Sequence, residues 1–272
     1  MLAFLSVYDK ISVMEMTKSE KKRIFLLDEI RGLAIFCMIF YHAYYIFAQE
    51  LSLSGAQKLF GFFTPFEPFF AALFISICGV SCSLSHNNLR RGLIITAAAL
   101  ALSLVTCVIM PAMGFYGAQI RFGILHLLGV CVLIYAIGAK LFNRANPFVG
   151  IIFCAVLYPF FSGIDKGNLS YGELINITLP DFLYSNDYLM PLGIYSPEFY
   201  SADYFPIFPF IFIFFVGVFA GRIFIEKGFP ETSYKKRSRF LSFLGTHTFI
   251  IYLLHMPVTY GLAFAIKNIL NL

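Results

Sequence analysis

The chain has 272 residues, 59% of them hydrophobic and only 13% charged, with a mean hydropathy of +0.79. A water-soluble domain carries about twice that charge, so the composition excludes a soluble globular protein and points to the membrane. The net charge of +5 matters less than where its charges fall, and no nucleic-acid surface is read from it.

Residues 1–26 form a mixed N-terminal segment ending in Lys18, Lys21, Lys22 and Arg23. Its apolar start is too short to span a bilayer and lacks a small-residue cleavage site, so it is not read as a signal peptide. Residues 27–272 read as one transmembrane domain. Spans are expected at 28–48, 67–85, 92–110, 121–141, 147–162, 204–225 and 242–266, each near the length of a hydrocarbon core. The expected fold class is therefore an all-α polytopic membrane protein, a helical bundle of about seven transmembrane helices.

Of the 20 Lys and Arg, all but Lys58, Arg121, Lys166 and Lys267 fall in the N-terminal segment, in alternate connections or at the span ends beside them. The positive-inside rule then makes the N-terminus cytoplasmic, and a bacterial cytoplasmic membrane is the expected setting. The one long connection, 162–203, lies outside and carries Asp165, Glu173, Asp181, Asp187, Glu198 and Asp203 against Lys166. At that length it reads as a functional loop, a folded cap or an acidic solvated segment. The six cysteines all lie in apolar runs, and Cys78 with Cys82 reads as small packing residues rather than half of a metal set. No resident metal is expected, and a homo-oligomer is compatible with the sequence.

The stretch Leu27–Phe47 organises the chain. Asp28, Arg31 and His42 fall within about 60° of one another on one helical face. Eleven residues at the helical rise lift the imidazole about 16 Å above the guanidinium. A fixed cation near one surface thus shares a stripe with a titratable base at depth. Other ionisable groups are expected toward the outer half of the membrane: Glu67, Arg121, His126, Asp203 and His255. Such groups are costly in a bilayer and point to function. Glu67 and Asp203 serve either as substrate contacts or as helix N-terminal acids. His126 and His255 serve either in catalysis or as buried hydrogen-bonded histidines. On the cytoplasmic side Arg31, Arg90, Arg91 and Arg222 could gather phosphates.

Five stretches in order resemble the heparan-α-glucosaminide N-acetyltransferase-like catalytic domain and its bacterial relatives: Leu27-Asp-Glu-Ile-Arg-Gly-Leu-Ala-Ile35, residues 74–81 (FISICGVS), 121–129 (RFGILHLLG), 203–209 (DYFPIFP), and 244–247 (LGTH) with 252–257 (YLLHMP). Arg31 and His42 also resemble the arginine–histidine signature of the membrane acyltransferases that modify surface polysaccharides. The resemblance implies acyl transfer across a membrane, from cytoplasmic acyl-CoA, acetyl-CoA in particular, to an extracytoplasmic glycan or amino-sugar acceptor. It implies that His42 is the base or the acyl carrier and that Arg31 helps hold the donor. One departure stands out: the resembled enzyme uses a histidine just after the first span, and residues 43–85 contain none.

On this reading the catalytic set is His42, Asp28, His126, His255 and Arg121, with Arg121, His126 or His255 facing the tetrahedral oxyanion. Direct transfer and an acyl-histidine relay both remain open. Two other classes compete. Histidines on separate helices could ligate haem, or the site could bind quinone. A transporter for a lipid-linked sugar is the other, although no internal repeat is present.

Overall fold

The structure is a computed structural model describing residues 23–114 and 117–270. Lys18, Lys21 and Lys22 lie outside the described residues. Among those residues seven helical stretches are long and apolar enough to cross a membrane.

Helix α1 runs Phe25–Glu50. Helix α2, Ser54–Phe63, passes through a tight turn at Thr64–Phe66 into α3, Glu67–Leu84. Helix α4, Asn88–Leu104, widens into a π turn at Val105–Ile109 before ending at Ala112. Helix α5 runs Ile124–Arg144 and α6 Pro147–Phe161. The Asn146 side chain caps α6, accepting from the amides of Phe148 and Val149, which are among the donors a helix start leaves unpaired. Helix α7 is Ile207–Lys227, α8 Arg239–Thr246 and α9 Thr248–Leu270.

Two expectations are corrected. Residues 54–63, taken as connection, are helical and extend the second stretch to Ser54–Leu84. The last span, expected from 242, divides at His247: α8 ends there, and the Thr248 hydroxyl bonds back to the carbonyls of Leu244 and Gly245 as α9 begins.

Packing follows the pattern of helices in lipid, where small residues let backbones approach closely. Helix α3 lies along α7. A Cβ on Gly217 would stand 1.9 Å from the Ser76 carbonyl oxygen, so only glycine fits there. Helix α8 lies along the start of α1 in the same way, with Gly245 against the Asp28 carbonyl. Ile35, Ile75, Leu127, Val132, Phe214 and Val218 fill the middle of the bundle. On α4 and α6 the outward residues are large and apolar, among them Leu93, Leu100, Val149 and Phe153, as expected of surfaces turned to hydrocarbon.

The connection at 162–203 is a folded cap. Strands β1 (Asn168–Tyr171) and β2 (Ile175–Thr178) pair antiparallel, and short helical turns follow. Its far end is tied to the segment before α5. Ala202 N donates to Gln119 O, Phe205 N to Phe122 O, and the Tyr200 hydroxyl to Gly117 O. These ties bring Asp203 and Phe205 over the bundle.

Candidate active site

The first turns of α1 are held by ion pairs and by backbone contacts to the segment before α8. Asp28 bonds both Arg23 and Arg31, each at 2.8 Å. Glu29 Oε1 accepts from the backbone amides of Arg237 and Ser238 at 2.6 and 2.7 Å, holding the chain that enters α8. Asp28, expected among catalytic groups, is thus buried at the basic end of the bundle. Fourteen residues of helix place it about 21 Å of rise from His42. Its partners are arginines.

Arg31 also donates to Ser81 Oγ at 2.7 Å, which ties α1 to α3. With Arg90 and Arg91 it lines a cavity of about 720 Å³, bounded also by Cys78, Thr246 and Tyr252. That volume suits a sizeable organic ligand. Guanidinium forks suit phosphate oxygens. Arg222 is elsewhere: its Nη1 donates to the carbonyls of Phe142 and Ala145, closing the C-terminal end of α5. It lines a different cavity, of about 530 Å³. The structure therefore gathers three of the four arginines expected to bind the donor, and Arg222 acts as a helix cap.

Further along α1, His42 lines a small cavity of about 30 Å³ with Tyr41, Glu67, Phe74 and Asp203. That space is enough for a water molecule. His42 Nδ1 stands 2.8 Å from Nε2 of His255 on α9, and the two rings lie nearly parallel. His255 Nδ1 lies 2.5 Å from the Tyr252 carbonyl oxygen. Because a carbonyl only accepts, His255 Nδ1 carries the proton. A neutral His255 must then accept at Nε2, so His42 Nδ1 carries the proton of that bond. The remaining lone pair is on His42 Nε2. The backbone of α9 thus selects the tautomer of a side chain on α1.

Tyr252 has a second part. Its hydroxyl donates to Asp203 Oδ2 at 2.8 Å, and the Ile124 amide donates to the same oxygen at 3.1 Å. Tyr252 lines the large cavity and Asp203 the small one, while Phe74 borders both. Asp203 lies outside the spanning helices. Burial pushes its carboxyl above the ordinary range, and the bonds from Tyr252 and Ile124 act in the opposite sense.

His126 and Arg121 do not join this group. The segment 121–123 is not helical, so helical spacing does not govern where the two side chains go. His126 Nδ1 accepts from the Gly123 amide, leaving Nε2 to donate to Ser103 Oγ; one nitrogen is committed to the start of α5 and the other to α4. Arg121 pairs with Asp187 at 2.7 Å on the cap and lies over the Phe199 ring. Neither lines the cavity of His42.

Tyr252, Ser81 and the His42–His255 partnership were missed from sequence. Tyr252 stands one helical turn before His255, a signal available once His255 was suspected. Ser81 is an uncharged residue in an apolar helix and gave none. Haem ligation by His42 and His255 would need an iron between imidazoles that here bond directly to each other.

A search of curated proteins finds no match to this chain. The family model described as heparan-alpha-glucosaminide N-acetyltransferase, catalytic, matches residues 23–257, which include both cavities and the histidine pair. The chain belongs to that family of transmembrane acetyltransferases.

Proposed function

We propose that this protein moves an acetyl group from acetyl-CoA, held on the cytoplasmic face, to a hydroxyl or amine of a glycan or amino sugar on the opposite face. The observation that carries this reading is His42. Its Nε2 lone pair is left free by the bond to His255, and it lines a cavity that shares Phe74 with the arginine-lined cavity.

Arg31, Arg90 and Arg91 fit the phosphates of the donor, and about 16 Å of helix separates Arg31 from His42. That span is comparable to an extended pantetheine arm. In direct transfer, His42 Nε2 takes the acceptor's proton as the acceptor oxygen or nitrogen bonds to the thioester carbon. The carbon–sulfur bond then breaks, and the departing thiolate receives the proton. While protonated, His42 still donates from Nδ1 to His255, so the imidazolium forms without moving its partner. The alternative is attack by Nε2 itself on the thioester carbon, which breaks the carbon–sulfur bond and releases the thiolate; the acceptor then displaces the imidazole from the acetyl-histidine, and the acceptor's proton goes to the thiolate. Glu67 and Asp203, on the outer side of His42, present carboxylates to the acceptor.

The test is reconstitution in liposomes, with radiolabelled acetyl-CoA supplied to one face and glycan or amino-sugar acceptors enclosed on the other. Label should appear on the enclosed acceptor only when the donor meets the face bearing Arg31. Transfer confined to acceptors on the donor's own side would contradict the reading.

A further inference from the structure

Two thiols that the proposed reaction does not use lie at the arginine-lined cavity, one on its wall and one behind it. Cys78 and Cys82 are one turn apart on α3, and Arg91 reaches across from α4 to both. Its Nη2 donates to Cys78 Sγ at 3.5 Å and its Nη1 to Cys82 Sγ at 3.7 Å. Cys78 lines the cavity together with Arg31 and Arg90, whereas Cys82 is fully buried behind it. One guanidinium fork thus serves two thiols at the basic end of the bundle.

We propose that Cys78 is a modification site for small anionic disulfides entering from the cytoplasmic face, and that its modification closes the donor cavity. The thiolate is the attacking form, and a fixed guanidinium beside sulfur supports the anion. Three arginines on one cavity also draw in negatively charged reagents. The Cys78 sulfur attacks one sulfur of the incoming disulfide and the old sulfur–sulfur bond breaks. The other half leaves as a thiolate, which takes the proton that Cys78 gave up. The product is a mixed disulfide whose anionic half lies among Arg31, Arg90 and Arg91. A thiol reductant reverses it.

The exchange itself is independent of acetyl transfer; only the claim that it blocks the donor rests on the function proposed above. The experiment incubates the purified full-length protein with oxidised glutathione and, in parallel, with the uncharged hydroxyethyl disulfide, then maps modified cysteines by peptide mass spectrometry. Glutathione should appear on Cys78 and vanish in Cys78→Ala. The rate should fall on the order of tenfold in Arg91→Gln, as expected for loss of a cation supporting the thiolate, and the charged reagent should outpace the neutral one. Cys82→Ala, which keeps Cys78, should still be labelled and serves as the folded control. Labelling of the half-buried Cys37 or Cys107 with Cys78 untouched would overturn the site, as would an undiminished rate in Arg91→Gln. Acetyl transfer should fall on modification and return with dithiothreitol. Full transfer by fully modified protein would overturn the closure. Clean labelling of a protein inactive in every state would leave the thiol site standing and count against the acetyltransferase reading instead.

Discussion

His42 and His255 are 213 residues apart in the chain, yet Nδ1 of the first meets Nε2 of the second at 2.8 Å. The His255 Nδ1 proton is committed to the Tyr252 carbonyl, so the direction of the His42–His255 bond is set by backbone rather than by another acid. In the reaction proposed above, His255 therefore positions His42 and does not touch the reacting carbon. Replacing it with Gln keeps an acceptor for His42 Nδ1, while Leu removes it. His255→Leu should lose about 10²-fold in kcat, on the scale of a misoriented general base. His255→Gln should retain a larger share, and neither should change the donor KM. Initial rates over a donor concentration series check this; equal losses in Gln and Leu would assign His255 a merely steric role.

Arg31 and Arg222 were both expected to bind the donor, and the structure separates them. Arg31→Ala should raise the donor KM about tenfold or more, with a smaller change in kcat, because a group that binds ground and transition states alike acts on KM. Arg222→Ala should leave the donor KM unchanged. It leaves the carbonyls of Phe142 and Ala145 unpaired and should cost about 1–3 kcal/mol of stability. Steady-state kinetics and thermal unfolding in detergent separate the two outcomes.

The glycine crossings set how close the helices can come. At Gly245 an added Cβ would stand 1.7 Å from the Asp28 carbonyl oxygen, and at Gly217 1.9 Å from that of Ser76. Each contact is with backbone, which has no side-chain rotamer to yield. Gly217→Ala and Gly245→Ala should each cost about 1–3 kcal/mol, read as a lower unfolding temperature. Gly55→Ala, where nothing lies within 4 Å, is the matched control.

Two carboxyls near the cap predict opposite pH slopes. Burial raises Asp203, so the folded protein holds a proton that the unfolded chain has released once pH passes about 3.9. Its contribution to stability therefore falls as pH climbs from there through the raised value. Asp203→Asn should flatten that decline. Asp187 is held below the ordinary range chiefly by the Ser196 hydroxyl, with help from the Ser196 amide and Arg121. Its contribution is present above the ordinary carboxylate value and is lost as pH drops through the lowered one. Asp187→Asn should flatten the acid side instead. Unfolding temperatures from pH 3 to 8 check both signs.

The seven spans could be read from hydropathy because lipid demands long apolar helices, and the stripe joining Arg31 to His42 could be read from helical spacing alone. What could not be read is which helices meet. The His42–His255 bond depends on α9 lying against α1, and nothing in either helix states that pairing. Residues 54–63 escaped because the stretch opens with Ser54, Gly55, Gln57 and Lys58, which read as loop. Arg121 and His126 were assigned to the outer site on the assumption of helix from 121. The helix begins at Ile124, so Arg121 goes to the cap and His126 turns back onto Ser103.

The most direct test is acetyl transfer by purified His42→Ala, compared with wild type at equal folded concentration, using radiolabelled acetyl-CoA and a glycan mixture. Transfer should fall by about 10²–10⁴-fold, the usual share of a general base, while the binding of acetyl-CoA is kept through Arg31, Arg90 and Arg91. Undiminished transfer by His42→Ala would contradict the assignment.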